Sequence, residues 1–438
     1  MSFMKIHSTN PNLSFILSKN PNTIRESGRA FMRKIRKGKA YGWFNEKDSE
    51  FKLWFKDSMI ESSFAPERDE NFEYLDKTRY GSPYIPIQFI QECLSSASKD
   101  QHEQDVEGEG LVTTITYPSL ISSRRWVNQI GHQFSSQGCT VSMTDIGKSH
   151  ALIQVTAPTV FKALNIVQII SILQSLGDKD TYVPTNKESL AKYLKVLNRA
   201  QAPYYPRYLV QMKIVQNRDL FNAVKEELQG PGMTMFYGDT ARQRLDVIRQ
   251  VLQRAGKADS LVEVGCGDMF QTLRLVDAYH SIVAIDADPE LTENNLGKVK
   301  GRSIDNVTPL CIEASYAYFE GNDEWSMFSD CDVLMSEVLE HMEKDEAQAL
   351  LNGVLTRAEP NKVVVTCPNK DFNKHYGLTD DEARHWDHKW EPTRNEFIIA
   401  MNDVLPSNLW KVEVSSLGDV VDSDSVSLIA VFTKKREV

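Results

Sequence analysis

Glu337, Glu340 and His341 fall within five positions of one another in the stretch SEVLEHM, residues 336–342. Two carboxylates and an imidazole crowded together are costly unless a positive charge is shared among them. At spacings of three and four residues they would project to one side of the chain if it turns helical there. Downstream, ARHWDHKWEPTRNEF offers a further imidazole: His388 is the preferred choice and His385 the alternative, and either could also be a plain loop residue. Two carboxylate oxygens with two imidazole nitrogens suit Mg²⁺, Mn²⁺ or a related first-row ion, and a set without thiolate argues against structural zinc. In the same segment Thr393 and Glu396 have the spacing of a helix capping box and are read as structural.

A second constellation lies upstream. LVEVGCGDMFQTLRLV reads as a buried strand, a glycine turn and a helix, with Gly265 and Gly267 allowing a close approach to a ligand that side chains would block. Asp286 ends the next strand, where a carboxylate can accept ribose hydroxyls. A dinucleotide fingerprint would need a third small residue where Phe270 stands. S-adenosylmethionine has a ribose and no pyrophosphate, so it fits this turn better than a nicotinamide cofactor does. Glu263 and Asp268 are then placed at its methionine end. Ser315 is placed toward the adenine, with a simple turn residue as the alternative.

Both constellations require a scaffold. After Gly232, the runs SLVEVG, SIVAID, DVLMSE and KVVVTC are short, rich in valine and isoleucine, and separated by segments of helical period. That pattern predicts a mostly parallel sheet covered by helices on both faces, and WKVEVSSL with VSLIAVFT predicts an antiparallel hairpin closing it. The fold class expected is α/β: a C-terminal Rossmann-like methyltransferase domain over 233–438 and an N-terminal α+β module over 1–229, parted at Gly230-Pro231-Gly232. A polar, acidic stretch at 95–110 is expected to be a mobile loop dividing the first module into two lobes.

At 438 residues the chain is long enough for two cores, and 41% hydrophobic with 25% charged residues is an ordinary globular balance. The net charge of −10 argues against a chain coated in nucleic acid, is compatible with a local basic groove, and leaves the partner open. Six scattered cysteines suggest a reduced, cytoplasmic protein. The start lacks a signal-peptide core and no apolar run approaching a membrane span is expected.

The order SEVLEHM, TCPNKDFN and RHWDHKWEPTRNEF resembles the signature of the RNA 3′-terminal ribose 2′-O-methyltransferases, the family that protects small-RNA ends. The resemblance places Glu337, Glu340, His341 and His388 on that family's metal ligands. It implies methyl transfer from S-adenosylmethionine to the 2′-hydroxyl of an RNA 3′ end. His341 or His385 would accept the proton, and Arg384 and Asn373 would meet the RNA. NPNLSFILSKNP, YLDKTRYGSPYIPIQFI and YVPTNKESLAKYL resemble the N-terminal module of the bacterial branch, which implies RNA repair beside a polynucleotide kinase-phosphatase-ligase that this module assists. Two other readings share some of these residues: a methyltransferase for a small vicinal diol, and a non-catalytic accessory to a ligase. The stretch at 29–44 mixes Arg33, Lys34, Arg36, Lys37 and Lys39 with Phe31, Tyr41, Trp43 and Phe44. It suits RNA, an acidic protein surface or a solvated sheet face equally.

Overall fold

The computed structural model describes residues 2–35, 38–57, 82–177, 185–254, 256–322, 324–405 and 409–435. Arg36 and Lys37 of the basic stretch lie outside these residues, as do 74–81 of YLDKTRYGSPYIPIQFI and 182–184 of YVPTNKESLAKYL. The chain divides into two compact units, 1–231 with 375–377, and 232–374 with 378–438.

The first unit is built on an antiparallel sheet of β1 (Phe3–Ser8), β2 (Phe31–Ile35), β3 (Gly38–Phe44), β4 (Glu50–Asp57), β5 (Thr113–Leu120), β6 (Thr140–Asp145) and β7 (His150–Ala157). Their order is β2-β3-β4-β1-β5-β7-β6. Residues alternate between buried and accessible along these strands: Ile6, Phe51, Leu53, Ile115 and Val155 face the core, as period-two side-chain placement requires. Because β1 pairs with both β4 and β5, the sheet runs unbroken across the stretch at 95–110. The expected two lobes are therefore one unit, and the loop is tied down. Buried Asp105 accepts the N–H groups of Val160 and Phe161 at 2.9 and 2.7 Å, capping a helix far along the chain, while Asn10 donates to the Gln104 carbonyl at 2.9 Å. That helix, Val160–Gly177, is long and apolar enough to cross a membrane by length and composition, contrary to the sequence expectation, yet 78% of it is buried inside the fold. It is the core helix under the sheet.

The second unit adds β8 (Met233–Thr234), β9 (Ser260–Val264), β10 (Ser281–Asp286), β11 (Val307–Cys311), β12 (Asp332–Ser336), β13 (Lys362–Pro368), β14 (Trp410–Val421) and β15 (Asp424–Lys434) in the order β11-β10-β9-β12-β13-β15-β14-β8. Strands β9 to β13 pair in parallel, and β15 runs antiparallel to β13 and β14. The result is a Rossmann-like sheet closed by the expected hairpin. Val363, Val364 and Val365 are all fully buried, so β13 is covered on both faces. The order reverses between β9 and β12, and ligands of such sheets bind at the carboxyl ends of the strands beside that switch.

Candidate active site

At the carboxyl end of β9 the chain turns through Gly265, Gly267 and Met269, all with left-handed backbone at φ +65°, +52° and +62°. A Cβ on Gly265 would lie 2.5 Å from Val338 Cγ2, so the glycine turn packs directly on the SEVLEHM loop. Gln271 also donates to the Ser336 hydroxyl at 2.8 Å. Asp286, ending β10, accepts the Gly267 N–H at 2.7 Å and the Asp288 N–H at 3.1 Å. Each of its oxygens keeps a second lone pair for a ligand. Asp268 is exposed and accepts the Phe270 N–H at 3.1 Å.

Glu263 lies beneath this surface, 2% exposed, and its carboxylate receives the Thr272 hydroxyl. Ser315 accepts the Tyr318 N–H at 3.1 Å at the start of the helix Tyr316–Asn322, the geometry of the turn-residue alternative. Burial pushes the Glu263 carboxyl up to about 7, against the hydrogen bonds from Thr272 and with Asp268 and Asp286 adding to the rise. A carboxyl whose folded pKa is raised favours the fold below its unfolded value, and that contribution is lost as pH rises from about 4.5 through about 7. Glu263→Gln should therefore flatten the decline in unfolding free energy across this window. Urea titrations of both proteins at several pH values measure it, and parallel curves would remove Glu263 from the account.

The metal constellation differs from the helical expectation. Glu337 has φ +57°, and Leu339–His341 form a single 3-10 turn. The Glu337 carboxylate consequently points to Arg244, at 2.8 Å, and accepts the Thr366 hydroxyl at 3.1 Å. Among the described residues, the group brought together is Glu340, His341 and His388, whose ligand atoms all lie within 4.8 Å of one another. Glu340 is fully buried; Cys367 Sγ donates to its Oε2 at 3.6 Å, and its Oε1 has no partner. Burial first, and then the charge of Glu337, raise the Glu340 carboxyl well above the usual range.

Two further carboxylates hold the imidazoles. Asp387 bonds His385 Nδ1 and lies 3.1 Å from His341 Nδ1; Glu391 bonds His388 Nδ1. Fixing Nδ1 in this way leaves Nε2 of each ring for a ligand. Burial works to raise the Glu391 pKa, but hydrogen bonds from His388, Asn373 and Arg384 hold it below the usual range. His385 is not in the three-residue group, although its ring lies 5.8 Å from that of His388.

Arg384 and Asn373, expected at the RNA, are engaged within the protein. Arg384 donates to Asn373 Oδ1 at 2.6 Å and to the carbonyls of Val426 and Asn369, and Asn373 donates to Glu391 at 2.7 Å. Their guanidinium and amide brace the loop that carries His388. The sequence reading missed Arg244, Cys367, Asp387 and Glu391. The last two carried a signal, an acid within three residues of each histidine.

The buried orphan oxygen of Glu340 and the two braced imidazoles fit a divalent ion.

Comparison with known proteins adds relatives. A small RNA 2′-O-methyltransferase of Drosophila melanogaster is 27% identical over 216 residues, covering 44% of this chain and 54% of the relative. One of Caenorhabditis elegans is 37% identical over 151 residues, covering 31% and 34%. The chain spans about half the length of the first of these curated relatives and a third of the second. A chain from the structure of the Pnkp1/Rnl/Hen1 RNA repair complex superposes with TM-score 0.70 at 20% identity, covering 98% of this chain and all of that one, which shows a shared fold. Residues 3–231 match the Hen1 N-terminal domain; that match takes in more than half of the sequence, and the chain belongs to the Hen1 family.

Proposed function

We propose that the second unit transfers the methyl group of S-adenosylmethionine to the 2′-hydroxyl of the 3′-terminal ribose of RNA. The observation that carries this reading is the Glu340–His341–His388 group at the carboxyl edge of the sheet, in contact through Val338 with the glycine turn. Asp286 and the Gly265–Gly267 backbone would seat the ribose of the cofactor, with Asp268 toward its methionine end and Ser315 toward the adenine. A divalent cation held by Glu340, His341 and His388, with Glu337 released from Arg244 as a fourth ligand, would bind both hydroxyls of a terminal ribose and lower the pKa of the one methylated. His385, oriented by Asp387, would accept the departing proton. The protein's remaining contribution is positioning: Glu391 and Arg384 fix the His388 loop so that the hydroxyl meets the sulfonium methyl in line.

The names of the relatives support RNA as the methyl acceptor. The named repair complex supports work beside a kinase-phosphatase-ligase, with the first unit as the partner-binding module that assists the ligase. Incubating the chain with labelled S-adenosylmethionine and RNA ending in either a 2′-hydroxyl or a 2′-deoxy ribose tests the reaction. Label should enter only the first RNA and only without chelator. Equal labelling of both would place the methyl elsewhere, and labelling of a catechol in preference to RNA would favour a small-diol enzyme.

A further inference from the structure

The open face of the seven-stranded sheet in the first unit is chemically unlike an ordinary solvated sheet. Strand pairing fixes which residues stand beside one another on it. Met32 lies opposite Tyr41, Tyr41 opposite Trp54, and Trp54 opposite Phe3. These four form one continuous apolar row across β2, β3, β4 and β1. Met32 is 56% and Trp54 37% exposed, while Tyr41 and Phe3 are half-buried.

On one side of this row, Lys34 lies opposite Lys39 and Lys39 opposite Lys56, all three exposed. No carboxylate among the described residues pairs with any of them. On the other side, Trp43 lies opposite Lys52, and Lys52 opposite Lys5. These two lysines share Glu50 at 3.1 and 2.9 Å, so the unopposed positive charge is concentrated in the first lysine row.

Like charges directly opposite on neighbouring strands destabilise a sheet, and exposed rings gain nothing from water. Both costs fall if the face is covered by a ligand that is flat, apolar on its faces and anionic along one edge. Strands spaced about 4.8 Å apart present the rings as successive steps beside a parallel line of ammonium groups. Across the rest of the face, Thr116, Gln154 and Ser142 continue the Lys5 row with neutral donors and acceptors. We propose that this face binds single-stranded RNA, with bases stacked on Tyr41, Trp54 and Phe3 and phosphates along Lys34, Lys39 and Lys56. Base stacking on sheet aromatics beside a cationic track is a general physical route to sequence-tolerant single-strand binding. An acidic protein surface would use the lysines but would have no need of the aromatic row between them. The identity of the strand as RNA rests on the function proposed above; the geometry of the face does not.

The test uses the full chain and a fluorescein-labelled RNA of about 12 nucleotides whose 3′ end lacks both hydroxyls, in chelator and without S-adenosylmethionine. Under those conditions the second unit cannot engage a terminal diol, so failure of the methyl-transfer reading and failure of this one are separate results. Anisotropy should show binding that Tyr41→Ala with Trp54→Ala weakens by about tenfold or more. Trp54→Phe, which keeps a ring, should retain most of it. Changing Lys34, Lys39 and Lys56 to Gln should lower the slope of log K against log salt by about 2, the value for three phosphate contacts to a single strand. All variants should keep the wild-type circular dichroism spectrum and cooperative thermal unfolding, which shows that the first unit folds, and should methylate saturating RNA with an unchanged kcat. Absence of binding by the wild-type chain, unchanged affinity in both sets of variants, or equal competition by a blunt duplex would overturn the proposal. Variants that keep RNA affinity but lose a ligase partner would assign the face to protein docking instead, which also overturns it.

Discussion

Glu340→Gln should abolish methyl transfer and also erase the rise in melting temperature that Mn²⁺ gives the wild-type chain. Glu340 is fully buried with one oxygen unpartnered, a costly state for a carboxylate unless a cation completes it. An ion that binds only the folded state stabilises it by about 2.7 kcal/mol at a hundred times its dissociation constant, so the wild-type shift is readily measured by calorimetry. In chelator the variant should be no less stable than the wild type, because the change removes a charge that burial and Glu337 already disfavour. His388→Ala should lose the shift in the same way, whereas His385→Ala should keep it and lose turnover alone. Glu337→Ala should behave differently again. Its carboxylate is paired with Arg244, whose Nε already lacks a partner, so this variant should lose roughly 1.5 to 3 kcal/mol in chelator as well. A full Mn²⁺ shift in Glu340→Gln would sink the metal centre, whatever happened to activity.

These residues differ in how far the sequence could expose them, and the differences have physical causes. The apolar runs of β9, β10, β12 and β13 announced themselves because strands covered on both faces are built mostly from apolar residues, with single buried polar interruptions such as Glu263 in β9 and Thr366 in β13. β11 did not, since Pro309 sits in its centre; the residue is tolerated there because β11 is the edge of the sheet. The stretch at 95–110 reads as a mobile loop because its composition is polar, but composition cannot show that one of its acids, Asp105, caps a helix more than fifty residues away. In SEVLEHM the residue types were informative and the period was not. A left-handed residue at Glu337 and a 3-10 turn after it separate side chains that an α-helix would have aligned. Arg244 comes from a distant helix and carried no local signal.

Gly265→Ala should weaken S-adenosylmethionine and Mn²⁺ binding together, although residue 265 would touch neither directly. Its φ of +65° costs an L-residue about 1 to 2 kcal/mol, and the added Cβ would meet Val338 Cγ2 at 2.5 Å, a separation that forces movement. Overpacking of this kind adds about 1 to 3 kcal/mol. Two segments can yield. If the glycine turn moves, the Gly267 N–H leaves Asp286 and the proposed ribose seat opens. If Val338 moves, the turn that begins at Leu339 shifts, carrying Glu340 and His341 away from His388. Either way the two sites fail as one, and calorimetric titration with each ligand separately should show both affinities reduced. Gly267→Ala is the control: it also has positive φ, but nothing lies within 4 Å of the new Cβ, so it should disturb the cofactor and spare the metal. Val338→Ala placed on top of Gly265→Ala removes the colliding methyls and should restore much of the Mn²⁺ affinity, while the backbone strain at residue 265 continues to weaken the cofactor. Wild-type affinity for both ligands in Gly265→Ala would show that the contact between these loops does not couple them, and the two halves of the proposed reaction would then be held in place independently.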